Sequence, residues 1–258
     1  MFDLSVIQKN KHDFSILTFD TLSSTNATAR EQAMQGASDM TVILAEHQSG
    51  GRGRMQRTFH SPEGTGIYMS VIVRRPMAAR DATHITPLAA VATAQAIESM
   101  IHRPVGIKWV NDIYLDGKKV CGILCEGAVE PGTQQLQYAV IGIGVNVATP
   151  KDGFPEEIRH VAGSVFDGDV EVEHLRDRLI GEILERLSFL LDGKDPALCL
   201  SEYRRRSIVV GHDVTVHQFD SPPRPAQALE IDDEYRLIVK YENGEIAALD
   251  SGEVSVRL

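Results

Sequence analysis

The chain has 258 residues, of which 36 are acidic and 26 are basic, so its formal net charge is −10. This balance argues against a general affinity for nucleic acid, because Lys and Arg drive phosphate binding. Hydrophobic residues make up 43% and charged residues 24% of the chain, which is typical of a folded globular protein and excludes a wholly disordered one. The length suits one large domain or one domain with a small appendage.

The cysteines and the N-terminus indicate where the protein works. Cys121, Cys125 and Cys199 are an odd number and lack the spacing of a paired metal site. Cys121 and Cys125 lie four residues apart on a predicted strand, and we interpret them as small buried side chains. The N-terminus lacks a signal peptide, and no apolar run reaches the ~18 residues of a membrane helix. We therefore expect a soluble, reduced, cytoplasmic protein.

The first 46 residues predict a strand, a helix and a second strand. The strands cover residues 14–19 and 41–46, and the helix covers residues 27–35. Gly36 would end the helix. Any residue of the cluster Ser23-Ser24-Thr25-Asn26 could cap its start, and capping alone could explain that cluster.

A loop rich in glycine and arginine follows the second strand, with the sequence EHQSGGRGRMQRTF over residues 46–59. Its glycines are residues 50, 51 and 53, and its arginines are Arg52, Arg54 and Arg57. Glycine lets backbone N–H groups approach a ligand, and arginine offers charged, forked donors to phosphate or carboxylate. The loop is therefore suited to an anion, although a solvated surface loop has the same composition.

The next segments predict the centre of a sheet. We expect a strand over residues 66–74, a helix over 83–101 with Pro87 in its first turn, and strands over 107–115, 118–126 and 135–147. Asp116-Gly117 is a strong hairpin signal, so the last three strands should pair in one sheet. Gly122, Gly142 and Gly144 would mark bulges or places where a ligand lies against the backbone.

The last third of the chain changes in character near residue 207. Residues 148–169 predict a loop with at most one helical turn, and amphipathic helices are expected over 175–191 and 196–205. We interpret Arg204-Arg205-Arg206 as structural, because cations suit a helix C-terminus. Five short β segments then predict a small separate β-barrel, at residues 208–217, 226–231, 235–241, 245–249 and 254–258, with turns at 221–223, 243–244 and 251–252. The expected domains are residues 1–206 and 207–258.

Several common catalytic motifs are missing from the sequence. It contains no GxxxxGK[ST] phosphate loop, no HExxH zinc helix, no GxSxG elbow and no CxxC pair. Polar residues instead interrupt two apolar strands: Lys108, Asn111 and Asp112 surround Trp109, and Lys118-Lys119 opens the next strand. Core packing remains an alternative for Trp109, and a solvated hairpin flank remains one for the two lysines.

Five short motifs, taken together in this order and spacing, resemble those of the biotin protein ligase family. They are residues 24–26 (STN), 48–54 (QSGGRGR), 108–112 (KWVND), 119–124 (KVCGIL) and 142–147 (GIGVNV). The resemblance spans roughly residues 14–258. It implies an α+β fold, in which a mixed β-sheet with flanking helices, similar to class II aminoacyl-tRNA synthetases, carries a small C-terminal SH3-like β-barrel.

The resemblance also implies roles for individual residues. The biotin-binding residues would be Ser24, Thr25, Asn26, Gln48, Arg52, Gly53, Lys119, Gly122, Ile123 and Leu124. The ATP-binding residues would be Arg52, Arg54, Arg57, Lys108, Trp109, Asn111 and Asn146. The catalytic residues would be Lys119, Arg52, Arg54 and Asp112.

The activity implied is that of a biotin–[acetyl-CoA-carboxylase] ligase, which makes biotinyl-5′-AMP from biotin and ATP and transfers biotin to a lysine of a biotin carboxyl carrier domain. Mg²⁺ would be held mainly by the ATP phosphates, and the sequence identifies no protein ligands for it. We expect no DNA and no membrane as partners, and a homodimer through a sheet edge is left open.

The chain departs from the family pattern at several points. Val110 stands where proline is common, Phe59 stands where tryptophan is common, and residues 148–169 contain no tryptophan to cover adenine. The chain has no room for a winged-helix DNA-binding domain, so we expect a monofunctional ligase without repressor activity. The alternatives are a lipoate-type ligase or acyl transferase, and a non-catalytic biotin-binding module.

Overall fold

The computed structural model describes residues 2–8, 14–166, 168, 171–193, 195–218, 221–250 and 254–257. The predicted turn at residues 251–252 lies outside these ranges. None of the helices in the described part is both long and apolar enough to cross a membrane.

The larger of two sheets has seven strands in the order β1-β2-β3-β7-β6-β5-β4. Only β1 and β2 are parallel, and every other neighbouring pair is antiparallel, so the sheet is mixed. The strands are β1 Ile16–Leu22, β2 Thr41–Gln48, β3 Gly66–Val73, β4 Gly106–Lys108, β5 Asp112–Leu115, β6 Lys118–Val129 and β7 Leu136–Asn146.

Helices cover this sheet: α1 Leu4–Ile7, α2 Thr25–Met34, α3 Ile85–Ile101, α4 Val172–Leu191 and α5 Pro196–Arg206. Helix α2 places Ala29 and Ala33 against Ile43, Ile72 and Val140. Helices α3 and α4 pack against each other and join a larger core that includes the alternate strand residues, such as Val42, Val71 and Ile141. Because successive strand residues point to opposite faces, α2 lies on one face and α3 with α4 on the other.

The second sheet has five antiparallel strands in the order β11-β10-β9-β8-β12. They are β8 Asp213–Gln218, β9 Arg224–Ile231, β10 Leu237–Tyr241, β11 Ile246–Leu249 and β12 Val254–Arg257. Val216, Ala228 and Val239 are buried on it. The mixed sheet with flanking helices and the small C-terminal β unit confirm the coarse fold prediction.

Most predicted elements are confirmed, with ends shifted by a few residues. Strand β1 begins two residues later than expected and continues to Leu22, and Gly36, at φ 91°, follows α2 as predicted. The Arg204–Arg206 run is structural: Arg204 donates to the Ile231 carbonyl, and buried Arg206 pairs with Glu98.

The continuous strand predicted over residues 107–115 is wrong, because the chain forms β4 and β5 with a break at residues 109–111. At the break the Trp109 indole N–H donates to the Tyr235 carbonyl, between β9 and β10. The Val110 carbonyl accepts a hydrogen bond from Tyr203 of α5.

Candidate active site

Two connected cavities lie on the α2 face of the large sheet. The first, which we call the inner pocket, has about 460 Å³ of space, part of which is open to solvent. The second, which we call the outer cleft, is wider, with about 1740 Å³ of space. Phe59, Asn111 and Lys119 border both cavities. A ligand lying across both would therefore pass Lys119.

The inner pocket collects all ten residues predicted to bind biotin, from α2, β2, β6 and the Gly/Arg loop. The outer cleft collects six of the seven predicted to bind ATP, and Arg52 borders the inner pocket instead. Catalytic candidates Lys119, Arg54 and Asp112 border the outer cleft, and Lys119 is shared with the inner pocket.

Gln48 is the centre of a hydrogen-bond network at one end of the inner pocket. Its Oε1 accepts from the backbone N–H of Thr25 at 2.8 Å and from the Thr25 hydroxyl at 3.1 Å. Its Nε2 donates to the hydroxyl of Ser61 at 3.0 Å, and that hydroxyl donates to the Phe59 carbonyl. These contacts fix which end of the Gln48 amide faces which neighbour.

Asn26 is held from three sides. Its Nδ2 donates to the Leu124 carbonyl at 3.2 Å and to Glu126 Oε2 at 2.8 Å. The Ser70 hydroxyl lies 2.7 Å from Asn26 Oδ1 and 2.8 Å from Thr25 Oγ1. Ser70 is fully buried in an apolar strand, where a hydroxyl must be hydrogen-bonded.

Capping alone does not account for the Ser24-Thr25-Asn26 cluster. Ser24 occupies the N-cap position of α2, but its side chain makes no capping hydrogen bond. All three side chains line the inner pocket. The cluster therefore builds a pocket wall as well as a helix start.

Two strand glycines make room for side chains above the sheet. A Cβ at Gly142 would overlap Asn26 Oδ1, and one at Gly144 would lie 2.6 Å from the Phe59 ring. Strands β6 and β7 pair without interruption here, so the bulge interpretation is wrong for Gly122, Gly142 and Gly144. All three line the inner pocket, which agrees with the alternative of a floor against which a ligand lies.

The Gly/Arg loop folds back on itself over the site. The Phe59 N–H donates to the Gly51 carbonyl at 3.0 Å, and the Gly53 N–H donates to the Arg57 carbonyl at 2.7 Å. A Cβ on Gly51 would overlap the Phe59 carbonyl, so this turn requires glycine. The fold places Arg52 beside the inner pocket and Arg54 and Arg57 beside the outer cleft, which favours an anion-binding loop over a purely solvated one.

Arg54 is the most enclosed of the loop arginines. Its Nη1 donates to Asn111 Oδ1 at 3.2 Å. Burial lowers the pKa of Arg54, while Asp112 acts in the opposite direction. An arginine stays charged at neutral pH even so, and a partly desolvated guanidinium binds an anion more strongly.

Lys119 and Asp112 form an ion pair where the two cavities meet, with 2.7 Å between Lys119 Nζ and Asp112 Oδ1. Asp112 faces Gly122 across the β5–β6 pair. The solvated-flank interpretation therefore fails for Lys119, whereas Lys118 is exposed and donates to the His160 carbonyl at 2.6 Å.

A segment of the 148–166 loop forms one wall of the outer cleft. The Lys119 N–H donates to the Val161 carbonyl at 2.7 Å, and the Gly163 N–H donates to the Lys119 carbonyl at 2.9 Å. Asn146 Nδ2 donates to the Gly163 carbonyl at 2.9 Å. Phe154, Ile158 and Val161 thereby supply apolar side chains to the cleft.

Trp109 borders the outer cleft, but core packing describes it better. It is 4% exposed, and its indole N–H donates to the Tyr235 carbonyl at 3.0 Å.

Three titratable groups near the site, two thiols and one imidazole, have shifted pKa values. Burial raises the pKa of Cys121, and it raises that of Cys125 to about 12, so neither thiol is a thiolate near neutral pH. Burial lowers the pKa of His60, which lines the outer cleft. The described residues contain no cluster of three His, Cys, Asp or Glu side chains that could hold a metal ion.

Sequence reasoning missed several residues of the site: Ser61, Tyr68, Ser70, Tyr114, Glu126 and Phe154. The one signal available for Ser70 was a serine inside the otherwise apolar run of β3. The others occupy ordinary strand or loop positions, and only the fold brings them to the cavities.

Comparison with known proteins shows that this chain matches one family model and that its fold is similar to solved structures over most of its length. The model of the biotin/lipoate A/B protein ligase family matches residues 18–146. The bifunctional ligase/repressor BirA of Bacillus spizizenii is 43% identical over 152 residues, which are 59% of this chain and 46% of that protein. The chain thus spans about half the length of that relative.

Two further likenesses extend over most of the chain. The biotin–[acetyl-CoA-carboxylase] ligase of Mycobacterium tuberculosis is 32% identical over 239 residues, 90% of this chain and 85% of that protein. The structure of the biotin protein ligase from Aquifex aeolicus in complex with biotin and ATP superposes with a TM-score of 0.73 at 24% identity, covering 94% of this chain and 98% of that one.

Proposed function

The chain belongs to the biotin/lipoate A/B protein ligase family, and on that premise we propose that it is a biotin–protein ligase. It activates biotin with ATP and transfers it to a lysine of a biotin carboxyl carrier domain. One observation carries the proposal: a polar inner pocket and a cationic outer cleft meet at the Lys119–Asp112 ion pair. Two substrates, one in each cavity, would place their reacting groups beside that pair.

The inner pocket holds biotin with its ureido ring at the polar end. Ser24, Thr25 and Gln48 contact the ring, and the glycine floor with Ile123 and Leu124 receives its apolar part. Asn26 holds this wall in place, because both ends of its amide already bond to the protein. The carboxylate would then point towards Lys119 and Arg52.

Adenylation is an attack of the biotin carboxylate on the α-phosphorus of ATP, with pyrophosphate leaving. Lys119 attracts both anions and stabilises the charge that develops on the phosphorus oxygens. Arg54 and Arg57 bind the phosphates, together with Lys108, while Asn111 holds Arg54 in position. Magnesium carried by the ATP phosphates neutralises their charge.

Transfer is an attack of the acceptor lysine amine on the carbonyl carbon of biotinyl-5′-AMP, with AMP leaving. Asp112 is positioned to orient the amine and accept its proton, because its carboxylate already receives the ammonium group of Lys119. The folded Gly/Arg loop keeps water from the anhydride between the two steps.

Adenine would be held by the apolar side chains of the outer cleft. Phe154, Ile158 and Val161 line it on the 148–166 loop, and Lys119 pairs with this loop through its backbone. Phe154 thus offers an aromatic ring in a region without tryptophan.

Lipoate-type transfer and simple biotin binding are the alternatives. The polar end of the inner pocket, with the amide of Gln48 and the hydroxyls of Ser24 and Thr25, suits a ring with both donors and acceptors, and the dithiolane ring of lipoate has neither. A binding module has no need of the Lys119–Asp112 pair or of the arginine-lined cleft.

The carrier domain is proposed to dock along the edge of β6. Strand β5 pairs with β6 only as far as Gly122, and Asn111 bonds to both backbone groups of Ile123, so within the described part the β5 side of residues 125–129 offers a strand edge. A groove beside this edge is bordered by Arg54, Thr86 and Glu126. A strand-like segment of the carrier domain could bind there through main-chain hydrogen bonds, close to the cleft that Arg54 also borders.

A homodimer stays a prediction, and sedimentation at several concentrations tests it.

We also propose that the five-stranded sheet is an SH3-like barrel, that residues 1–206 and 207–258 are separate domains, and that the protein is cytoplasmic. The five consecutive antiparallel strands support the first two points. Three free cysteines, Cys121, Cys125 and Cys199, support a reducing compartment.

The decisive experiment incubates the protein with ATP, Mg²⁺, biotin and a biotin carboxyl carrier domain, and measures the mass of the carrier. We expect the mass to rise by one biotin only when ATP is present. A matched reaction with lipoate and a lipoyl domain should give no change. Lipoate transfer without biotin transfer would overturn the choice of substrate, and no adenylate with either acid would overturn the enzyme proposal.

A further inference from the structure

We propose that a turn of the C-terminal sheet positions the nucleotide half of the active site. The turn comprises residues 232–236, between β9 and β10, and we call it the docking turn. It contacts the strand break at residues 109–111, from which the chain continues directly into Asp112. The inference rests on the proposed function, and it names Tyr203 and Tyr235 as positioning residues for ATP.

Hydrogen bonds from two other parts of the chain hold the strand break. The Trp109 indole N–H donates to the Tyr235 carbonyl of the docking turn at 3.0 Å. The Tyr203 hydroxyl of α5 donates to the Val110 carbonyl, also at 3.0 Å. The rings of Tyr203 and Tyr235 meet edge to face, with centroids 5.5 Å apart. Both hydrogen bonds are buried, so losing either would leave an unsatisfied polar group.

The docking turn is rigid enough to act as a support. Asp232 Oδ1 accepts from the backbone N–H groups of Glu234 at 2.9 Å and Arg236 at 2.8 Å. Tyr235 adopts a left-handed conformation with φ 59°, which costs free energy for a residue other than glycine. In this conformation the Tyr235 carbonyl faces the indole N–H of Trp109.

Polar contacts also connect the docking turn to helices of the catalytic part. Arg204 of α5 donates to the Ile231 carbonyl at 2.8 Å and to Asp233 at 2.8 Å. His84, just before α3, lies 3.1 Å from Glu234. The start of α3, the end of α5 and the C-terminal sheet therefore converge on one short segment.

The geometry separates the effect on ATP from the effect on biotin. Asn111, next in the chain, bonds to the Ile123 carbonyl and to Arg54; it borders both cavities, whereas Asp112 borders only the outer cleft. The network around Gln48 and Asn26 lies on β2, β3 and α2 and shares no hydrogen bond with Trp109 or Val110 among the described residues. Loosening the strand break should thus weaken ATP binding and adenylation while biotin binding persists.

Two substitutions test the support. Tyr203→Phe removes only the hydroxyl that donates to Val110. Tyr235→Gly removes the ring while suiting the left-handed backbone. Tyr138→Phe is the matched control, because Tyr138 is a buried tyrosine of β7 that lines neither cavity. Trp109 is the sole tryptophan of the chain, so its fluorescence reports on the strand break without any need for activity.

We expect Tyr203→Phe to raise the KM for ATP about 5- to 10-fold, the loss typical of one buried hydrogen bond, and to shift Trp109 emission to longer wavelength. Tyr235→Gly keeps the backbone carbonyl that bonds to Trp109 but removes the ring that packs against Tyr203, so we expect changes in the same direction. The Kd for biotin should stay within about twofold of the parent, because in the described part the hydrogen bonds of Gln48 and Asn26 involve neither Trp109 nor Val110. Tyr138→Phe should leave all three quantities unchanged.

An unchanged KM for ATP in both variants would refute the inference, and so would an equal loss for ATP and biotin that follows the fall in melting temperature. A parent protein that makes no biotinyl-5′-AMP would instead refute the proposed function. In that case the fluorescence shift still tests whether the docking turn holds Trp109.

Discussion

The inner pocket and the outer cleft are built in different ways. The polar wall of the inner pocket comes mainly from regular elements, the start of α2 with β2 and β3, and its amides and hydroxyls bond to one another. The outer cleft is bounded by the Gly/Arg loop, the strand break and the 148–166 loop. A few long-range hydrogen bonds hold these segments, from Arg54 to Asn111, from Trp109 to Tyr235 and from Asn146 to Gly163. The comparison indicates a preformed inner pocket, where we propose that biotin binds, beside an outer cleft, proposed for ATP, whose shape depends on how its loops are held.

The largest effect should come from the residue that both cavities share. Lys119→Ala removes the cation beside both reacting groups, and we expect biotinyl-5′-AMP synthesis to fall about 10²- to 10³-fold, the usual loss for one transition-state-stabilising group. The side chain is 31% exposed, so the fold should survive. Pyrophosphate release measures the rate, and circular dichroism checks the fold. Lys118→Ala is the control, because Lys118 donates to the His160 carbonyl and lines neither cavity. Equal losses in the two variants would remove Lys119 from the mechanism.

The next effect should fall on the outer cleft alone. Arg54→Gly removes the loop's hydrogen bond to Asn111 and its charge beside the phosphates. We expect adenylate synthesis to continue and the intermediate to leave about 10- to 100-fold faster, since a charge-assisted contact contributes ~1.5–3 kcal/mol. Trapping labelled biotinyl-5′-AMP on the protein and following its release gives the rate. If the variant retains the intermediate as long as the parent, the loop does not act as a lid.

A smaller effect is expected on biotin binding in the inner pocket, without an effect on ATP. Ser70→Ala leaves Asn26 Oδ1 and Thr25 Oγ1 without their shared hydroxyl neighbour. We expect the Kd for biotin to rise about 5- to 10-fold and the KM for ATP to stay constant, because one neutral hydrogen bond contributes ~1 kcal/mol. Ser99→Ala controls for loss of a serine hydroxyl, since in the described part the Ser99 hydroxyl bonds only to the Ala96 carbonyl of α3. Calorimetry with biotin decides, and an equal change in both constants would mean that the two cavities are not independent.

The same contrast explains what sequence could reveal. The motifs at residues 24–26, 48–54 and 119–124 are local, and every biotin-binding residue predicted from them lines the inner pocket. Ser70, Tyr203 and Tyr235 could not be found in this way, because each acts on a residue that is more than 40 positions away. The strand break was missed for a related reason. Trp109 and Val110 are good strand formers, and the break depends on distant contacts: the Trp109 indole N–H donates to the Tyr235 carbonyl, and the Tyr203 hydroxyl donates to the Val110 carbonyl.

The ion pairs of α5, the helix that carries Tyr203, also predict a small effect of low pH on the stability of the fold. Glu202 lies next to Tyr203 on α5, and a hydrogen bond from Arg205 is the main cause that lowers the pKa of its carboxyl to about 2. Because the folded pKa lies below the ordinary value of 4.5, the stabilisation is fully present above pH 4.5 and is lost as the pH falls towards 2.

We therefore expect Glu202→Gln to unfold at lower urea than the parent at pH 7, with the difference shrinking below pH 4.5 and vanishing near pH 2. Trp109 emission gives the unfolding curve, and Glu230→Gln is the control, as Glu230 is an exposed carboxylate on β9. Arg205 lies on the outside of α5 and Tyr203 on the inside, so the loss should be modest and should leave the biotin pocket intact. If the difference in unfolding urea concentration stayed constant down to pH 2, the charge of Glu202 would not stabilise α5. The conformation of the outer cleft would then depend on the docking turn and Tyr203 alone.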